Sequence, residues 1–66
     1  MVVKIMIAKY IQTMEFMFEN VKILNAKTEK ELLHKIKENE VIVIFNDGRI
    51  EYINSSYIMF FELEDN

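Results

Sequence analysis

The chain has 66 residues, 52% hydrophobic and 29% charged, with a net charge of −3 and no cysteine. This length predicts a single domain over residues 1–66, and the composition is that of a globular chain rather than a disordered one. Disulfides and thiolate metal sites are excluded, a lone histidine cannot hold a metal by itself, and the acidic balance works against nucleic acid and anionic membranes as partners. The sequence therefore predicts no cofactor and no metal. A domain of this size buries only about 60% of the surface of its unfolded chain. Oligomerisation is the remaining reinforcement, unless a well-packed core suffices.

Residues 1–11 alternate, with Val3, Ile5, Ile7 and Ile11 on one face and Lys4, Met6, Ala8 and Tyr10 on the other. Period two with β-branched residues predicts a strand. The same residues lack the clean apolar run of a targeting signal. The longest unbroken apolar runs, 41–45 and 57–61, are too short to span a bilayer. The expected location is the cytoplasm.

Gln12-Thr13 reads as a short connection, and residues 14–24 as a second strand that changes phase. Met14, Phe16 and Phe18 share one face, whereas Val21, Ile23 and Leu24 follow Asn20 out of step. A one-residue slip sends side chains to the opposite face, so one strand keeps both sets inward only with a bulge at Glu19-Asn20. The alternative is a turn there that separates two short strands.

Residues 28–39 predict the single helix. Thr28 and Glu31 have capping-box spacing, Glu29 lies in the first turn, Lys35 and Lys37 lie in the last, and Asn39 suits a left-handed cap. The apolar stripe, Leu32, Leu33 and Ile36, is narrow and covers only part of a sheet. Residues 40–45 are nearly continuously apolar, which predicts a strand buried on both faces or central in its sheet. Asn46-Asp47-Gly48-Arg49 is a strong hairpin signal. Residues 50–53 form the return strand, 54–56 a turn and 57–63 the last strand. The expected fold class is α+β: about five mostly antiparallel strands and one helix in the order β-β-α-β-β-β, able to curl toward a small barrel.

No catalytic constellation emerges. His34 falls on the solvent side of the helix, and a general base needs a positioned partner and a pocket. Ser55 and Ser56 lack an adjacent base and a glycine-rich elbow. Glu62, Glu64 and Asp65 read as a solvated acidic end rather than a cation site. The chain is therefore expected not to be an enzyme.

The apolar triplets Phe16-Met17-Phe18 and Met59-Phe60-Phe61 carry more. Each puts large groups on both faces of its strand, and one narrow helix covers only one face. Contiguous exposed apolar surface usually has a partner, and aromatics and methionine are enriched at interfaces. The alternative is a sheet that curls and buries both sets. The expected interface residues are Phe16, Phe18, Tyr57, Met59 and Phe61, with Arg49 at the rim.

The segment 45–54 is similar to the Asp-Gly hairpins of many small β-barrels, Sm-like ones among them. That turn type is shared by many folds and implies no function. The sequence points to a protein-interaction module, homodimeric or docked on a larger protein through a sheet face or edge, acting as a small regulator or inhibitor subunit. The analogy is to small acidic bacterial, phage and mobile-element proteins. The second reading is a nucleic-acid-binding small barrel with Lys4, Lys9, Lys22 and Arg49 on phosphates and Tyr10, Tyr52 and Tyr57 as stacking platforms.

Overall fold

The computed structural model describes residues 5–64. Five strands form one antiparallel sheet: β1 (Met6–Thr13), β2 (Met17–Ile23), β3 (Val41–Asn46), β4 (Arg49–Asn54) and β5 (Ile58–Leu63). The helix α1 (Glu29–Lys37) enters between β2 and β3, which gives the order β-β-α-β-β-β of an α+β fold. The strands lie side by side as β4-β3-β2-β1-β5.

That order forces curvature. β4 and β5 stand at opposite ends of the sheet, yet only a 3-10 turn, Ser55–Tyr57, joins them. A flat five-stranded sheet would hold its outer strands about 19 Å apart. A three-residue 3-10 connection covers about 8 Å. The sheet is therefore rolled, although β4 and β5 do not pair and it stays open.

Three irregularities set which side chains face inward. Asn20 takes a left-handed conformation, φ 52°, within an otherwise continuous β2. The β1–β2 register passes from Tyr10↔Glu19 to Ala8↔Val21 without slipping. Both strands therefore change phase together at Lys9 and Asn20. Ile11 and Phe18 point inward on one side of this point, and Met6, Ala8, Val21 and Ile23 on the other. The phase change expected at Glu19-Asn20 is present, but neither as a bulge in the β1–β2 register nor as a turn, since the register does not shift and β2 is unbroken. β1 also differs from the simple alternation. Ile5 is exposed and Ile7 half-buried, while Met6 and Ala8 face the core. Val3 and Lys4 lie outside the described residues. The third irregularity is at Met59. The β1–β5 register shifts between Gln12↔Phe60 and Thr13↔Ile58, so Ile58 and Phe61 both turn inward although three positions separate them.

The helix ends follow local chemistry. The Thr28 hydroxyl accepts the Glu31 N–H at 3.1 Å, and the Glu31 carboxylate reaches back to the Lys27 N–H at 3.1 Å. At the other end Asn39 adopts φ 57°. The Glu40 N–H donates to the Lys35 carbonyl and the Asn39 N–H to that of Ile36, a Schellman closure. Leu32 is fully buried and Ile36 packs on the core, but Leu33 is 51% exposed. The stripe is thus narrower than the sequence predicts. β3 is buried on one face only: Ile42 and Ile44 point inward, while Val41, Val43 and Phe45 point away from the helix. Asp47 and Gly48, φ 51° and 80°, form the tight turn that puts Asn46 opposite Arg49.

Candidate functional site

The turn from β1 to β2 falls two residues later than the sequence predicts, at Met14-Glu15. The Thr13 N–H donates to the Phe16 carbonyl at 2.8 Å, and the Thr13 hydroxyl accepts the N–H groups of Phe16 and Glu15 at 2.9 and 3.3 Å. The Gln12 amide donates to the carbonyls of Thr13 and Phe16. The Met14 N–H donates to the Tyr57 carbonyl at 3.2 Å, which fastens this hairpin end to the 3-10 turn.

Rolling without closure leaves a seam. One wall is four consecutive residues of β4, from Glu51 to Asn54; the other is the β1–β2 hairpin end with Met14, Phe16 and Phe18, and Tyr57 lies between them. The groove holds about 500 Å³, within the range of about 300–1,000 Å³ of natural ligand clefts. The Phe16 and Phe18 rings stand 6.1 Å apart. The ionisable carboxylates at the groove are those of Glu15 and Glu51, and no lysine or arginine lines it. The Asn46 amide donates to Glu51 at 3.0 Å and holds that carboxylate in place.

A second apolar surface lies on the face of the sheet away from the helix. Val43 stands opposite Tyr52 and Phe45 opposite Ile50, so two cross-strand pairs form one patch. Tyr52 is 72% exposed and Ile50 56%. Lys22 closes one side, its ammonium 5.7 Å from the Phe45 ring centroid. On β5, Met59 and Phe60 are also exposed, and Phe60 meets Tyr10 edge to face at 6.0 Å.

The structure divides the predicted interface residues. It brings Phe16, Phe18 and Tyr57 together at the groove. Met59 projects from the β5 bulge, Phe61 packs inward, and Arg49 sits exposed at the β3–β4 hairpin away from the groove. Ile50, and Tyr52 as a protein rather than a nucleic-acid contact, are interface candidates that the sequence reading passed over. A signal for them existed: the Asp-Gly turn fixes the hairpin register, and this register sets the two residues on one face with Val43 and Phe45.

The residues of the other readings do not converge. His34 is exposed beside Thr28, Lys30, Glu31 and Glu40, with neither serine among its neighbours there. Ser55 is buried. Lys9 pairs with Glu62 at 3.0 Å, and the groove that Tyr52 and Tyr57 line is lined also by Glu15 and Glu51 and by no lysine or arginine. Lys4 and Asp65 lie outside the described residues. Among the described residues no three His, Asp or Glu side chains gather as metal ligands, and no helix is long and apolar enough to cross a membrane. The chain matches no known family, no curated protein and no solved structure.

Proposed function

We propose that this chain is a non-enzymatic protein-interaction module that forms a homodimer through the uncovered face of its sheet and acts as a small regulator or inhibitor subunit. The observation that carries this reading is the patch of Val43, Tyr52, Phe45 and Ile50, with Val41 beside it, on the side the helix leaves bare. A two-fold interface uses the same patch on both subunits, and an apolar centre with a charged residue such as Lys22 at its rim suits it. The size argument supports the same reading, because a second copy adds the buried surface that so short a chain lacks. A module of this kind acts by occupying a surface, which needs neither the lone histidine nor a cofactor.

Sedimentation velocity over a dilution series tests the proposal. The chain is expected to sediment as a dimer that dissociates on dilution, and the double variant Phe45→Thr/Ile50→Thr as a folded monomer at every concentration. A wild-type chain that stays monomeric throughout and binds no hydrophobic dye overturns it.

A further inference from the structure

We infer that the seam groove is a docking site for an extended, basic and apolar segment of a partner protein, which adds to the free edge of β4 as a further strand. The inference goes beyond self-association and does not depend on it: the groove is walled by Phe16, Phe18 and residues 51–54 at the edge of the sheet, and Tyr52 alone borders both the groove and the bare-face patch.

Three features of the groove specify this occupant. First, β4 is a terminal strand of the sheet, and residues 51–54 form the wall in unbroken succession. A sheet edge offers main-chain donors and acceptors in register with an incoming strand. Second, Phe16 and Phe18 face this edge with their rings 6.1 Å apart. Alternate side chains of an extended segment repeat at about 6.8 Å, so two successive apolar side chains of one strand face meet one ring each. Third, the charge is of one sign. Glu15 and Glu51 line the groove and no cationic side chain does, so lysine or arginine at the intervening positions is complementary.

The same charge argues against a second copy of the chain as the occupant. The terminal strands of the described sheet are β4, which carries Arg49 and Glu51, and β5, which carries Glu62 and no cation. Neither strand of another copy therefore brings net positive charge to a site walled by two carboxylates.

The test uses the whole chain and three fluorescent, end-capped eight-residue peptides. One alternates valine and lysine. The second replaces lysine with glutamate. The third keeps the lysine sequence but N-methylates alternate backbone amides, which removes strand donors without changing the side chains. Anisotropy titration is expected to show saturable binding of the lysine peptide with a Kd of about 100 µM or below, and at least about tenfold weaker binding of the other two. Phe16→Ala and Glu51→Gln are expected to weaken the lysine peptide several-fold, while Glu19→Gln, an equal charge change outside the groove, leaves it unaltered. Amide chemical-shift changes should fall on residues 13–18 and 51–54. Phe45→Thr/Ile50→Thr should bind as the wild type does, so failure of the dimer does not count against the groove. No saturable binding up to about 1 mM overturns the inference, as does equal binding of the glutamate or N-methylated peptide. Shift changes confined to the face around Val43 and Ile50 also overturn it.

Discussion

Asn25 accepts the backbone N–H of Val43 at 3.0 Å through its side-chain oxygen, while its amide donates to the Val41 carbonyl at 2.8 Å. The side chain thus extends the β2–β3 ladder beyond its two residue pairs, Lys22↔Phe45 and Ile23↔Ile44. The Leu24 N–H donates to the Val43 carbonyl and is the neighbouring bond. This joint holds the β3–β4 hairpin to the rest of the sheet. Asn25→Ala removes two hydrogen bonds; water can replace the one to the exposed Val41 carbonyl, but the part-buried Val43 N–H loses its partner, for an expected loss of about 1–2 kcal/mol. Urea unfolding measures the loss, and hydrogen exchange should show Val43 and Leu24 losing protection before β1 does.

The adjacent leucines of α1 give a sharper contrast. Leu32 is 1% exposed within the core, and Leu33 is 51% exposed on the outer flank of the helix. Leu32→Ala is expected to cost about 3 kcal/mol through the lost burial and the cavity left behind. A chain of this length has a total stability of only about 3–10 kcal/mol, so this variant should be largely unfolded at modest urea. Leu33→Ala should change stability by less than about 0.5 kcal/mol. Equal losses at the two positions would show that the helix is rotated from the arrangement described here.

The helix caps and the Asp47-Gly48 turn were legible because their determinants are local. Thr28, Asn39 and Gly48 each answer a requirement of the backbone within a few residues. The strand faces were only half legible, because they depend on neighbours distant in the chain. Nothing near Ala8 says that β1 changes phase at Lys9; the change is matched by Asn20 on the adjacent strand. Phe61 looks like its neighbours Met59 and Phe60 until the bulge at Met59 is known. The groove could not be read at all, since it exists only because β4 and β5 end up at opposite ends of a rolled sheet. The aromatic excess at Phe16, Phe18 and Tyr57 pointed toward it without showing that those residues meet.

Gly48 provides a test of the turn in isolation. Its φ is 80°, and a Cβ placed there meets nothing within 4 Å. Gly48→Ala therefore carries only the left-handed backbone cost, about 1–2 kcal/mol, with no steric addition. The hairpin register should survive, and cross-strand proton contacts between Val43 and Tyr52 should persist in the folded fraction. Loss of those contacts at full folding would show that alanine at this position cannot hold the turn that fixes the register.

The bare face can be separated from the core by comparing two isoleucines on the same strand. Ile50 projects from β4 toward solvent beside Phe45, whereas Ile53 is 5% exposed and stands opposite Ile42 in the core. Threonine preserves β-branching at both positions, so strand propensity is held nearly constant and burial decides the outcome. At a dilution at which the proposed dimer would be dissociated, Ile50→Thr is expected to change stability by less than about 0.5 kcal/mol. Ile53→Thr should cost about 2 kcal/mol or more, because a hydroxyl replaces buried hydrocarbon. At high concentration the wild type should gain stability through dimerisation, and Ile50→Thr should gain much less. A concentration dependence as strong in Ile50→Thr as in the wild type would place the self-association surface elsewhere, with the exposed Met59 and Phe60 of β5 as the next surface to examine.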